Sequence, residues 1–178
     1  MPRGWGVVYR HFGEEDRLSK AHVLVTAARK RQVIVLVSAD PELAEASHAD
    51  GVHWPEDRLP DRLTRRPHWI VSASAHSSRA MSQAAQKGAD LVFVSKVFES
   101  RSRSKSNALG LFRFAATCAR AQLPVFALGG INSSNIERVL GINPENTRGI
   151  AAVEGLLRVL SKAQPTDDLS RQEATLDG

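Results

Sequence analysis

The sequence predicts an α/β protein of the (β/α)8 barrel type, and three observations support this prediction. Short apolar segments alternate with segments of helical character along most of the 178 residues. The apolar segments are continuous rather than strictly alternating, which is typical of parallel strands buried on both faces. The strands recur every ~20 to 25 residues, which favours a compact closed barrel over a doubly wound open sheet.

Seven strands are predicted, one fewer than a complete barrel has, so either one strand is missing and leaves an edge of the sheet unpaired, or one strand is not recognisable in the sequence. The predicted strands are Gly6–His11, Val33–Ser38, Gly51–Trp54, Trp69–His76, Leu91–Phe98, Pro124–Ile131 and Gly149–Val153. An unpaired parallel edge is a liability. We therefore expect either a second copy of the chain, in a homodimer, or the C-terminal tail to cover this edge.

Helices are predicted between the strands, and their ends carry local signals. The predicted helices are Asp16–Arg31, Pro41–Ala49, Ser78–Gly88, Leu109–Gln122, Ser133–Leu140 and Gly155–Lys162. In the first of them, apolar residues recur at spacings of three or four and form one stripe. Ser77 or Ser78 is a plausible N-cap of the third helix, and Gly88 is a plausible stop at its C-terminus.

Composition excludes several classes of protein. Lys and Arg total 24 and Asp and Glu total 19, giving a net charge of +5, and 42% of residues are hydrophobic. These values are ordinary for one globular domain, which we assign to residues 1–162, with a disordered tail over 163–178. The single cysteine, Cys118, excludes an internal disulfide and a cysteine-clustered zinc site. We therefore expect a cytoplasmic protein.

Membrane and nucleic-acid partners are not expected. The longest apolar runs, such as Val33–Val37, are far shorter than the about 20 residues of a membrane-spanning helix. A nucleic-acid-binding protein should show a basic stripe interleaved with aromatic residues. The basic residues here are scattered instead, and Tyr9 is the only tyrosine.

A phosphate site is predicted at the ends of the last two strands. Gly129 and Gly130 end one strand, and Ala152 and Val153 end the next, directly before a predicted helix. Loops after the last two strands of such barrels often bind phosphate, and backbone N–H groups of glycines suit an anion. We predict that an anion binds to the N–H groups of these four residues; the alternative is that the two glycines only form a tight turn.

His76 is the candidate for acid–base chemistry. It ends the strand Ser72-Ala-Ser-Ala-His76, and Ser74 lies two residues before it on the same face. A histidine at the mouth of a barrel is suited to proton transfer near neutral pH. The alternative, a hydrogen-bonded structural histidine, is equally compatible with the sequence. No nucleophile elbow surrounds the serines, which excludes a serine hydrolase.

No metal site is predicted. Four carboxylates lie next to predicted strands, but they form no motif of paired metal-binding carboxylates: Asp40, Asp50, Glu56 and Asp57. His53 has no second histidine at ligand spacing, so a packed core histidine is the better interpretation. A loop rich in serine and basic residues, Ser100–Lys105, could close over a phosphorylated ligand.

Taken in order, these segments resemble the thiamine-phosphate synthase/TenI family. The resemblance extends from about Val7 to Leu160 and is carried by six segments: Ala49-Asp-Gly-Val-His53, Ser72–Ser77, Gly88-Ala-Asp90, Val97-Phe98, Leu109-Gly110 and Pro124–Ile131. Val7–Arg10 resembles the family's second strand, so the resemblance implies that the barrel lacks its first strand at the N-terminal edge. The family folds as a (β/α)8 barrel in thiamine biosynthesis. Its synthases join a thiazole phosphate to a pyrimidine diphosphate with Mg²⁺, and its TenI-type members isomerise a thiazole carboxylate phosphate to its aromatic form.

The resemblance also assigns site residues and shows departures. Arg10 matches an arginine of the family's second strand, and Ser100-Arg-Ser-Arg103 matches a Thr-x-Thr-Lys loop for the pyrimidine diphosphate, with Arg103 in place of the lysine. Where the synthases have Asn-Asp, this chain has Ser38-Ala39. Where they have Gly-Gln-x-Asp, it has Pro55–Arg58, so both metal carboxylates are replaced, although Asp57 or Asp40 could substitute from a neighbouring position. Glu154 stands where a serine is common.

These departures favour a TenI-like thiazole tautomerase, with His76 as acid and base, since tautomerisation needs neither metal nor diphosphate. No cofactor is then expected; Mg²⁺ is expected only for the alternative, a thiamine-phosphate synthase. A second alternative is a non-catalytic protein that binds thiazole phosphate or thiamine phosphate. In every case the expected partner is a small phosphorylated heterocycle.

Overall fold

Seven parallel strands form one curled sheet. The computed structural model describes residues 5–10, 13, 15–100, 107–142, 145 and 147–152. The strands are β1 (Gly6–Tyr9), β2 (Ile34–Ser38), β3 (Gly51–Trp54), β4 (Ile70–Ala75), β5 (Leu91–Val94), β6 (Val125–Leu128) and β7 (Thr147–Ala151). They are hydrogen bonded in sequence order, from β1 to β7. A doubly wound sheet reverses its strand order at a switch point, so the unbroken order confirms the predicted barrel type.

Five helices connect the strands. They are α1 (Arg17–Arg29), α2 (Pro41–Ala46), α3 (Ser78–Gln86), α4 (Gly110–Cys118) and α5 (Ile136–Leu140), with a 3₁₀ turn at Glu56–Arg58. The helix expected at 155–162 and the tail expected at 163–178 lie outside the described residues. Within the described ranges, none of the helices has the length and apolar character needed to cross a membrane.

The predicted ends of the third helix are confirmed. The Ser77 hydroxyl accepts a hydrogen bond from the Ala80 N–H at 3.1 Å, which makes Ser77 the N-cap of α3. Gly88 has a φ of 88°, a left-handed conformation that ends the helix without the strain a side chain would cause.

The two faces of the sheet have different roles. Val52, Val71 and Val92 are fully buried in the core that the strands share with the helices. Because side chains alternate along a strand, the intervening residues point to the opposite, inner face. The paired residues Ser38, His53 and Ser72 lie side by side there, as do Ser74, Phe93 and Phe126. The inner face therefore combines polar and aromatic side chains, whereas the outer face is aliphatic.

Two aspartates fix how neighbouring strands align. Asp50, before β3, donates its N–H to the Val35 carbonyl at 2.8 Å and accepts the Val35 N–H at Oδ2 at 2.7 Å. Asp90, before β5, makes the same two bonds to Val71 of β4, both at 2.7 Å. Each aspartate thus forms a closed pair of hydrogen bonds with one residue of the preceding strand and specifies the register there.

We predict that Asp50→Ala lowers the free energy of unfolding by about 2 kcal/mol, because it leaves a backbone N–H without its charged acceptor. Urea denaturation followed by circular dichroism measures this change. Asp57→Ala is the matched control: Asp57 is exposed, and its removal should change stability by less than about 0.5 kcal/mol. Equal effects of the two substitutions would contradict the role assigned to Asp50.

Candidate functional site

The candidate site residues gather at one edge of the sheet. Because all the strands are parallel, their C-terminal ends lie at the same edge. Arg10 follows β1, His76 follows β4, Gly129 and Gly130 follow β6, and Ala152 follows β7. Arg103 and Val153 were also predicted to bind substrate, and both lie outside the described residues.

His53 lies at the centre of a hydrogen-bonded group on the inner face. Its Nδ1 is 2.9 Å from the Ser72 hydroxyl, and its Nε2 is 3.0 Å from the Ser74 hydroxyl. Burial, together with the nearby positive charge of Arg10, lowers the pKa of His53 to about 4. His53 is therefore neutral at pH 7 and has both ring nitrogens occupied, which agrees with a packed histidine rather than a metal ligand.

Two phenylalanines lie beside this group. Phe93 meets His53 edge-on, with ring centroids 5.3 Å apart, and Phe126 lies 5.6 Å from Phe93. Aromatic rings in such positions suit a planar heterocycle, which they can contact edge-on or by offset stacking. Sequence reasoning missed both residues. The signal was available in β5 and β6, where each phenylalanine alternates with fully buried residues.

His76 is held by Glu56. One carboxylate oxygen, Oε2 of Glu56, lies 2.6 Å from His76 Nδ1 and accepts the His76 backbone N–H, also at 2.6 Å. When Nδ1 carries the proton, Nε2 of the neutral ring is the acceptor. Nε2 makes no hydrogen bond within the described part of the chain. Glu56 was considered only as a metal candidate, and its role as the partner of His76 was not predicted. Ser74, predicted to act beside His76, is bonded to His53 instead.

The glycine corner, Gly129 and Gly130, has the conformation expected of an anion site. Both residues have positive φ, 97° and 67°, and a Cβ on Gly130 would lie 2.5 Å from the Glu99 carbonyl oxygen. Within the described residues, neither glycine uses its N–H in a hydrogen bond. By contrast, the N–H of Asn132 is already bonded to Asn135 Oδ1 at 2.9 Å. The N–H groups of Gly129 and Gly130 are therefore available to an anion, whereas that of Asn132 is not.

A buried lysine lies against this corner. Lys96 is 7% exposed, and its side chain occupies the space that a Cβ on Gly129 would need. Its Nζ is 2.8 Å from Oε2 of Glu99, and this hydrogen bond lowers the pKa of the Glu99 carboxyl. The corner thus combines backbone donors with a nearby cation. Lys96 was not predicted, although a lysine two residues after the apolar strand β5 was a visible signal.

The residues present do not fit the Mg²⁺ ion that the family resemblance implies for a synthase. At the two positions of the metal carboxylates, this chain has a methyl group, Ala39, and a guanidinium, Arg58. Of the neighbouring carboxylates, Asp40 is bonded to Arg17 at 2.7 Å and to the Leu43 N–H at 2.9 Å, and Glu56 holds His76. Nowhere in the described ranges do three or more metal-binding side chains come together.

We predict that His53 makes stability depend on pH between about 4 and 6.5. In this window the unfolded histidine is protonated and the folded one is not, so stability is lost as the pH falls, by up to about 3 kcal/mol. Urea denaturation at several pH values compares the wild type with His53→Asn. The slope of unfolding free energy against pH should be smaller in the variant, and equal slopes would contradict a lowered pKa.

Comparisons with known proteins agree with this architecture. The family model for thiamine monophosphate synthase matches residues 7–156. A thiamine-phosphate synthase of Methanococcus maripaludis is 29% identical over 151 residues, which is 84% of this chain and 73% of the relative. A thiamine phosphate pyrophosphorylase from Pyrococcus furiosus superposes with a TM-score of 0.69 at 26% identity, covering 83% of this chain and 70% of that chain.

Other relatives are considerably longer than the matched region. The thiamine biosynthetic bifunctional enzyme TH1 of Arabidopsis thaliana is 31% identical over 142 residues, and the match spans 78% of this chain but 27% of that enzyme. A relative from Aquifex aeolicus, 33% identical over 111 residues, is covered over 60% of its length. The match to the family model covers residues 7–156, which is most of the chain, and reaches all seven strands. The chain therefore belongs to the thiamine monophosphate synthase family.

Proposed function

We propose that this chain is an enzyme of thiamine biosynthesis, a thiamine-phosphate synthase that joins a thiazole phosphate to a pyrimidine diphosphate. The observation that carries the proposal is the family match together with relatives that are themselves named thiamine-phosphate synthase. The sequence favoured a TenI-like tautomerase, with the synthase as the alternative. The names of the relatives support the alternative better.

The site offers separate binding regions for the two substrates. The glycine corner and the cation of Lys96 suit the phosphate of the thiazole. Phe93 and Phe126 suit the flat faces or edges of the rings, and Ser74 suits a ring nitrogen or amino group. Arg10, at the end of β1 across the sheet from the corner, suits the diphosphate.

The reaction places one main demand on the protein. The thiazole nitrogen attacks the methylene carbon of the pyrimidine, a C–N bond forms, and the C–O bond breaks with its electron pair going to diphosphate. Negative charge therefore grows on the leaving diphosphate, and fixed positive groups near it lower the barrier. In this chain those groups are arginine side chains, since the donor set at the ends of β2 and β3 does not fit Mg²⁺.

We predict that the purified protein forms thiamine phosphate from thiazole phosphate and hydroxymethylpyrimidine diphosphate. Chromatographic detection of the product tests this, in parallel with an assay for aromatisation of the thiazole carboxylate phosphate. Each is run with Mg²⁺ and with EDTA. Product in the second assay alone would contradict the synthase proposal in favour of the tautomerase, and binding without turnover in either would favour the non-catalytic alternative.

A second candidate, the TenI-like tautomerase, is favoured by the pairing of His76 with Glu56. Moving a ring proton requires one group that accepts and returns it near neutral pH. The carboxylate of Glu56 fixes the orientation of the His76 ring, so that Nε2 is available at the mouth of the barrel. This arrangement needs no metal and no leaving group.

For this candidate we predict that His76→Ala lowers tautomerase turnover by about 10²- to 10⁴-fold, the usual contribution of general acid–base catalysis. The side chain of His76 is 38% exposed, so the melting temperature should change little. Turnover and melting are measured on the same sample, with His68→Ala, an exposed histidine away from the site, as control. Reduced melting with full activity per folded molecule would identify His76 as structural only.

A further inference from the structure

A small polar cavity lies at the ends of β1, β2 and the 3₁₀ turn. Its volume is about 140 Å³, and its charged lining residues are Arg17, Asp40 and Arg58. Pockets that enclose whole organic ligands usually measure about 300 Å³ or more. The cavity is therefore of a size for an ion or for the charged end of a larger ligand.

Ser38 lines the same cavity, and the environment of its hydroxyl group is unusual for a buried polar atom. It is 3% exposed, and its Oγ has no hydrogen-bond partner among the described residues. Leaving a buried hydroxyl without a hydrogen-bond partner is unfavourable. Such a cost is relieved when a ligand supplies an acceptor, so the unpaired Ser38 hydroxyl is a second indication of a ligand here.

The charge of the cavity favours an anion. Among the described residues that line it, two guanidinium groups, those of Arg17 and Arg58, face the carboxylate of Asp40. The negative charge of Asp40 is already opposed by Arg17 at 2.7 Å and by the Leu43 N–H at 2.9 Å. Arg10 adds a further positive charge at the neighbouring strand end, close enough to His53 to lower its pKa. A guanidinium presents several donors in a fixed plane, a geometry that matches phosphate oxygens.

We propose that this cavity binds a phosphate or diphosphate group without a divalent cation, with Arg58 and Arg17 providing the positive charge and Ser38 a hydroxyl donor. Arg58 and Ala39 stand at the positions where the family resemblance implies metal carboxylates. One ligand of a metal cation is thus replaced by a positively charged side chain, and the other by a methyl group. The assignment of the diphosphate to a pyrimidine substrate rests on the proposed function; the anion site itself does not.

The test is isothermal titration calorimetry with inorganic diphosphate, in EDTA and again with Mg²⁺. We expect the wild type to bind in EDTA, with no gain in affinity when Mg²⁺ is present. Arg58→Gln should weaken binding at least tenfold, while Arg58→Lys should weaken it less. Arg62→Gln is the matched control, because it removes the same charge from the same loop outside the cavity and should bind as the wild type does.

Ser38→Ala separates binding from folding. Since Oγ makes no hydrogen bond in the described structure, the substitution should leave the melting temperature unchanged or raise it, while it weakens diphosphate binding several-fold. Binding that requires Mg²⁺, absence of binding in EDTA, or equal affinity of wild type and Arg58→Gln would each overturn the proposal.

Failure of the anion site and failure of the proposed function give different results. Arg58-dependent binding in EDTA by a protein without synthase turnover supports the site and contradicts the function. Synthase turnover by a protein whose diphosphate affinity does not respond to Arg58→Gln supports the function and overturns the site.

Discussion

The register of the parallel sheet is the constraint on which every part of the candidate site depends. Asp50 and Asp90 hold it through closed pairs of hydrogen bonds to Val35 and Val71. A slip of one residue would turn each strand over, bringing Val52 to the inner face and His53 into the aliphatic core. A hydrogen bond from a backbone N–H to a carboxylate is stronger than one to a neutral acceptor, so these two residues make such a slip costly.

The same register explains the protonation state of His53. Its two nitrogens face the hydroxyls of Ser72 and Ser74. A neutral imidazole donates to one hydroxyl and accepts from the other, whereas a protonated ring would have to donate to both. Burial and the charge of Arg10 both disfavour protonation. The neutral ring therefore keeps both hydroxyls hydrogen bonded, including that of Ser74 near the C-terminal end of β4. Burial and the charge of Arg10 thus determine how His53 bonds to the two serines, although no charged side chain takes part in those hydrogen bonds.

Sequence alone predicted the features that depend on neighbouring residues. Apolar segments located all seven strands, Ser77 and Gly88 marked the ends of α3, and two consecutive glycines marked the corner with positive φ. It did not predict contacts between residues far apart in the sequence, such as Glu56 with His76 or Phe93 with Phe126. Those pairs depend on which residues share a face after the strands are aligned. The loss of the metal carboxylates also pointed to the tautomerase, on the premise that a missing metal ion leaves the diphosphate without positive charge.

At the ends of β2 and β3, the absence of metal ligands does not mean an absence of positive charge. Diphosphate needs positive charge and hydrogen-bond donors around it, and either a hydrated divalent cation or a pair of guanidinium groups can supply them. A cation requires carboxylates to hold it, which add negative charge next to the leaving group. An arginine is attached to the chain and needs no such ligands, so the replacement of an aspartate by Arg58 removes one negative charge and adds one positive charge at a single position. The change in local charge is then two units, equal to the charge of one divalent cation. The departures of this chain from the synthase pattern are therefore compatible with the chemistry of a synthase.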